Sequence, residues 1–254
     1  MKKRKAGIVI FVIVLIITAV RVKSMDSHRI SGRILAENIA GPGMLRLVEQ
    51  SMQARARKTS VTEIAVKERK HPQAALTFDD GPDIRYTPLL LDGLKERNVR
   101  VSFFLLGEKV EQYPELVERM QKEGHLVGNH TYHHVQLNKL NETKAREEIL
   151  KTNNLIYETT GVYPLYLRPP FGAWKKNLEL CVEMLPVFWT IDTLDWKVQN
   201  TEKIVRTVQE QIEDGAIILM HDEYDTSVEA ALQVVDELKN QGYELVTVDQ
   251  LILP

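Results

Sequence analysis

Apolar positions along the chain fall into two regimes. From Ala6 to Val20 they form one unbroken run whose only polar member is Thr18. From Gln73 onward they form short runs that alternate with stretches of helical period. The short runs predict strands over Ala74–Phe78, Val101–Leu106, His125–Gly128, Val162–Leu167, Val187–Ile191, Ala216–Met220 and Tyr243–Val246. The stretches between predict helices over Pro88–Arg97, Pro114–Glu123, Asn141–Thr160, Lys175–Met184, Thr201–Glu213 and Val228–Asn240, with a final turn over Asp249–Leu251. Thr87 stands where an N-cap would, ahead of Pro88, and Gly124 and Gly161 stand where helices stop. Strand–helix alternation of about seven units implies an α/β fold, a parallel sheet wrapped by helices. No internal repeat is evident.

The first regime has a different physical meaning. Met1-Lys2-Lys3-Arg4-Lys5 precedes the apolar run, and Arg21 and Lys23 follow it. A basic block of this kind stays on the cytoplasmic side and sends the rest of the chain outward. The run is short against the roughly 20 apolar residues that match a bilayer, so its length also suits a signal-peptide core. No clear small-x-small cleavage site follows, so we expect an uncleaved anchor over residues 1–23 and an extracytoplasmic domain, secreted if the segment is cleaved. Residues 24–73 read as a juxtamembrane linker, broken at Gly41-Pro42-Gly43. Within it, Met44 to Lys58 suits a basic amphipathic helix or a solvated spacer, the spacer being favoured, and Val61 to Val66 alternates like a strand.

Charge sharpens this division. Residues 1–23 hold six Lys/Arg and no acid, whereas residues 74–254 hold 18 Lys/Arg against 30 Asp/Glu. An acidic domain of this sort is a poor partner for nucleic acid, whose phosphates require basic patches. The only cysteine is Cys181, so no intramolecular disulfide can form. Residues 74–254 are long enough to fold on a core of their own, as one domain, and a monomer is favoured.

The candidate chemistry sits where predicted strands end. Asp79 and Asp80 follow the first strand, and Gly81-Pro82 forces a turn. Side chains alternate along a strand, so the two carboxylates should point in different directions, one free to hold a metal and the other beside it. His130 and His134 are four apart, and one helical turn would put them on one face. His133 lies between them in sequence and reads as a surface residue. An Asp-Gly-Pro turn alone is common, and so is an isolated histidine pair. Together they offer three ligands with open coordination positions, the mark of a catalytic metal site, plus a spare carboxylate to take a proton.

Five motifs in order then give the chain a resemblance. They are Thr77 to Pro82, His130 to His134, Arg168-Pro169-Pro170-Phe171-Gly172, Asp192-Thr193-Leu194-Asp195-Trp196 and Leu219-Met220-His221-Asp222. In this series the sequence resembles the polysaccharide deacetylase family, the NodB-homology carbohydrate esterases, across roughly residues 74–250. The resemblance implies a distorted (β/α) barrel with its site on the C-terminal rim of the strands. It implies Asp79 as general base, Asp80, His130 and His134 as ligands of a divalent metal, and His221 as general acid. Zinc is the expected ion, with Co²⁺, Mn²⁺ or Ni²⁺ as alternatives. Arg168 would pair with Asp79 and, with the metal, keep it ionised, and Asp195 would pair with His221 and raise its pKa. The backbone N–H of Phe171 would help to hold an oxyanion, although many relatives carry tyrosine there. Trp174 and Trp196 suit either sugar stacking or core packing, and Leu219 and Met220 read as strand core.

The implied reaction is hydrolysis of an N-acetyl group on an envelope glycan, with N-acetylglucosamine of peptidoglycan the first expectation. A non-catalytic glycan-binding module on the same fold is the alternative, and a two-histidine, one-carboxylate iron oxygenase a third. The full acid, base and ligand set argues for the enzyme.

Overall fold

The computed structural model describes residues 71–174 and 184–252. The expected anchor over 1–23, nearly all of the linker, the helix expected over Lys175–Met184 apart from its last residue, and Cys181 lie outside the described residues. Among the described residues, no helix is long and apolar enough to cross a membrane.

The elements are β1 (Gln73–Asp79), α1 (Thr87–Glu96), β2 (Ser102–Leu105), α2 (Gly107–Gln112), α3 (Pro114–Lys122), β3 (Leu126–Asn129), α4 (Glu142–Thr160), β4 (Tyr166–Leu167), β5 (Leu185–Pro186), β6 (Ile191–Asp192), α5 (Asp195–Val198), α6 (Thr201–Gln211), β7 (Ala216–His221), α7 (Asp225–Asn240), β8 (Glu244–Leu245) and α8 (Val248–Ile252). Every strand pairing is parallel, in the spatial order β5-β4-β3-β2-β1-β7-β6. β8 pairs with the start of β1, on the edge that β2 occupies at its end. Among the described residues no ladder joins β5 to β6. The α/β expectation therefore holds, as a parallel half-barrel rather than a closed ring.

Period-two alternation explains how the sheet is buried on both faces. Ala74, Leu76 and Phe78 of β1, Phe103 and Leu105 of β2, and Ala216, Ile218 and Met220 of β7 pack outward with apolar residues of α1, α3, α6 and α7. Their neighbours turn the other way. Ala75 and Phe104 pack inside with Tyr166, Val187 and Val248, and Ile217 lies against them. That leaves Thr77, Asp79, Leu219 and His221 on the inner face, and strand ends bring the last three to one rim. The register sets them side by side, since Asp79 is directly opposite His221 across β1 and β7.

Several expectations change in detail. Thr87 is not an N-cap: the cap residue is Tyr86, with no side-chain bond. The buried Thr87 hydroxyl instead accepts from the Asp83 N–H at 2.7 Å and donates to Asp222. Of the strand expected over Val187–Ile191 only Ile191 is in a strand, β6; β5 ends just before it, and the Val187 and Phe188 carbonyls between them receive the Arg168 guanidinium. Only Tyr166 and Leu167 pair within the strand expected over Val162–Leu167. α2 was not expected.

Candidate active site

The two aspartates do not diverge. Asp80 adopts a left-handed φ of 68°, which breaks the alternation of β1. Both carboxylates then line one cleft of about 410 Å³ at the strand ends.

His130 to His134 is not a helical turn either. It is a loop after β3 in which Thr131 and His134 have φ of 67° and 55°. Neighbouring elements fix it at many points. The His130 N–H donates to the Leu105 carbonyl at 2.9 Å. The Thr131 N–H donates to the buried Asn129 side chain at 2.7 Å. The Tyr132 and His133 N–H groups both donate to Glu148 of α4, at 3.0 and 2.9 Å. The Thr131 and Tyr132 carbonyls accept the first two N–H groups of α2, at 2.9 and 3.2 Å. The exposed His133 ring turns away to Glu148 at 2.8 Å. Backbone strain gathers here: among the described residues, non-glycine positions with left-handed φ include Asp80, Thr131, His134, Phe171 and Leu194, all in the loops that form or adjoin the cleft.

These constraints bring three donors together. Asp80 Oδ1 lies 3.4 Å from His130 Nε2 and 3.5 Å from His134 Nε2. The three ligand atoms are all within 4.8 Å of one another. Asp80 Oδ1 is buried and has no hydrogen-bond partner among the described residues, a costly state for a carboxylate unless a cation meets it. His130 Nδ1–H donates to the Arg168 carbonyl at 2.6 Å, so the lone pair of Nε2 faces Asp80. Burial pulls the His130 imidazole down to about 3, which keeps it neutral as a ligand must be. A carboxylate oxygen and two imidazole nitrogens around an unpaired buried oxygen fit a divalent ion, with further positions open.

Two charged pairs flank this triad. Arg168, fully buried at the end of β4, donates to Asp79 Oδ1 and to the Thr77 hydroxyl, both at 2.7 Å. Its guanidinium lies 4.2 Å over the Phe104 ring. The other Asp79 oxygen stays on the cleft side, 3.7 Å from His130 Nε2. Burial pushes the Asp79 carboxyl above its ordinary range, against the pull of Arg168 and His221. Desolvation is the larger effect, and the Arg168 and His221 charges oppose it. On the opposite side, Asp195 accepts from His221 twice, from its backbone N–H and from Nδ1–H, both at 2.8 Å. Nε2 is left facing the cleft, 3.8 Å from Asp80 Oδ2. Burial pulls His221 down, but the Asp195 bond and charge, with Asp79 and Asp80, outweigh it and raise the imidazole to about 9. Asp195 itself is pushed up by burial and pulled further down by His221.

The remaining expected residues divide. Phe171 is exposed on a 3-10 turn, its ring 4.5 Å from that of His134, and Trp196 is half-exposed; both line the cleft. Trp174 packs with Leu137, Ala145, Ile149 and Leu167 and belongs to the core. Leu219, expected in the core, also lines the cleft. Trp189, Asp192, Glu223 and Tyr224 line it too, and no role had been expected for them. Glu223 and Tyr224 lie two and three residues after His221 on the rim, so their position could have flagged them. Nothing in sequence marks Trp189.

Fold and site together define a class: a parallel α/β half-barrel with a carboxylate–bis-histidine cation site, flanked by a carboxylate and an imidazole, at its strand ends. Within that class, the chain belongs to the polysaccharide deacetylase family, whose model matches residues 66–187. It is 42% identical over 185 residues to the peptidoglycan-N-acetylglucosamine deacetylase PgdA of Listeria monocytogenes, a match covering 73% of this chain and 40% of that protein. The chain thus spans less than half the length of that relative. It is 40% identical over 186 residues to a peptidoglycan-N-acetylglucosamine deacetylase of Bacillus cereus, covering 70% of this chain and 68% of that one. The solved structure of peptidoglycan deacetylase PdaC from Bacillus subtilis superposes with a TM-score of 0.70 at 42% identity, over 72% of this chain and 91% of that one.

Proposed function

We propose that the chain is a metal-dependent hydrolase that removes N-acetyl groups from an envelope polysaccharide, N-acetylglucosamine units of peptidoglycan above all. The observation that carries this reading is the shared cleft: Asp79 and His221, each with its own buried partner, flank the three converging donors. Asp80, His130 and His134 would hold the ion. Zinc suits this oxygen and nitrogen set, and Co²⁺, Mn²⁺ and Ni²⁺ are also compatible with it. When bound, the ion supplies Lewis acidity to a carbonyl oxygen and to water.

The chain's own groups do the rest. Arg168 fixes one oxygen of Asp79, so the free oxygen faces the cleft and takes the proton of the water that attacks the acetyl carbon. The Phe171 backbone N–H supports the developing oxyanion. His221, protonated through its bond to Asp195, gives its Nε2 proton to the leaving nitrogen. Acetate and a free amine result. Trp196 offers an apolar face to the sugar.

Two relatives support the choice of N-acetylglucosamine by their names, while Bacillus subtilis PdaC is named for N-acetylmuramic acid. Residues 1–23 would anchor a monomeric, extracytoplasmic domain spanning 74–254 through the 24–73 linker, placing it beside peptidoglycan. Acetate release from N-acetylglucosamine oligomers, abolished by a chelator and restored by zinc, is the expected result. No release from any N-acetylated glycan with metal restored contradicts the proposal. Asp79→Asn separates enzyme from glycan-binding module: turnover should fall by roughly 10²–10⁴ while glycan binding persists.

A further inference from the structure

Asp222 follows His221 at the end of β7, and its carboxyl group is fully buried. None of the steps above uses it. One oxygen accepts from the Thr87 hydroxyl. That hydroxyl accepts in turn from the Asp83 N–H at 2.7 Å, and the Asp83 carboxylate receives the Arg85 and Tyr86 N–H groups at 2.8 and 2.9 Å. The other oxygen has no hydrogen-bond partner among the described residues and is packed against Gly81. A Cβ at Gly81 would meet it at 2.5 Å, so the absent side chain makes room for this carboxyl group. Gly81 is bonded directly to Asp80. Asp222 therefore ties two things that the chemistry needs in fixed relation: the turn that presents Asp80, and the strand end that presents His221.

We propose that Asp222 is a positioning residue that sets Asp80 in register with His221, through Thr87 and through its contact with Gly81. The inference rests on the metal-site reading of Asp80, but not on the identity of the glycan. Its shape and its accepting oxygen matter, rather than its charge. Among the described residues neither oxygen forms an ion pair, and Asn would keep both the outline and the bond to Thr87.

The test uses the full chain and four variants: Asp222→Ala, Asp222→Asn, Thr87→Val and the double variant Asp222→Ala/Thr87→Val. Zinc affinity is measured on metal-free protein by competition with a chromophoric chelator, alongside kcat and KM on N-acetylglucosamine oligomers at saturating zinc. Asp222→Ala should weaken zinc binding and lower kcat by about 10- to 100-fold each, with KM nearly unchanged, as expected for a group that orients a metal ligand. Thr87→Val should move both in the same direction, the double variant should add little to Asp222→Ala, and Asp222→Asn should stay close to the parent. Folded Asp222→Ala or Thr87→Val with parental zinc affinity and kcat overturns the proposal. If Asp222→Ala does not fold, Thr87→Val and Asp222→Asn still decide it. Should the parent release no acetate, the proposed function fails, yet the zinc measurements still test the positioning role.

Discussion

At the scale of single residues, the site is governed by burial and by who shares each charge. Arg168 is the clearest case. It is fully buried and bonded to Asp79, Thr77 and two backbone carbonyls. Arg168→Met leaves a buried carboxylate without its partner, a change that costs about 3–5 kcal/mol. The loss should depend on pH. Burial already raises Asp79, and removing Arg168 raises it further, so the folded state of the variant prefers the proton. Its stability should therefore fall as pH rises from the unfolded carboxylate value of about 3.9 towards the folded one, measurable by denaturant unfolding across pH. A flat profile with little loss would contradict the pairing. His221 gives the opposite sign. With its imidazole raised to about 9, it contributes stability below its ordinary value, and that contribution is lost as pH rises through about 9. In the proposed reaction the same proton passes to the leaving group, so the alkaline limb of activity should lie at about 9. Asp195→Asn removes the charge that raises it and should shift that limb down towards about 6.5, the ordinary histidine value. An unmoved limb would remove His221 from the acid role.

At the scale of elements, what was legible in sequence follows from where the determinants lie. α4 could be read almost to the residue because its signals are local. The Asn141 side chain caps the Lys144 N–H at 2.9 Å, and Gly161 ends the helix at a φ of 73°. β1 and β7 were legible because each carries a nearly continuous apolar run, Ala74–Phe78 with Thr77 its one polar member and Ala216–Met220, as a strand covered on both faces does. α2 was not, because its start is set by tertiary partners. Its first N–H groups bond to the histidine loop, and a Cβ at Gly107 would meet Thr152 and Tyr132 at 2.5 Å. The five motifs supply most of the residues that line the cleft, Trp189, Glu223 and Tyr224 excepted, but their geometry was not legible. The left-handed backbone at Asp80, Thr131 and His134 is imposed by neighbouring elements, and no local propensity announces it. Glu148 shows the dependence: from α4 it accepts two loop N–H groups and the His133 ring. Glu148→Ala should loosen the loop and weaken zinc binding by about 10-fold while leaving α4 intact. Calorimetry on the metal-free variant checks it, and unchanged affinity would show that the loop holds itself.

At the scale of the whole molecule, the half-barrel's role is to bring distant strand ends to one rim. β1, β3, β4 and β7 deliver Asp79, Asp80, His130, Arg168 and His221 from widely separated stretches of chain. A site assembled this way couples ligand binding to global stability. Zinc at 100 times its dissociation constant should add about 2.7 kcal/mol to unfolding, seen as a raised Tm that a chelator reverses. No shift would mean that the donors do not bind zinc in the folded state.

The most direct measurement is anomalous diffraction at the zinc edge from crystals of the zinc-loaded protein. A single strong peak within about 2.0–2.2 Å of Asp80, His130 Nε2 and His134 Nε2, with Asp79 beside it but uncoordinated, is expected. A peak elsewhere, or one bound through Asp79 with Asp80 turned away, would contradict the assignment of base and ligands.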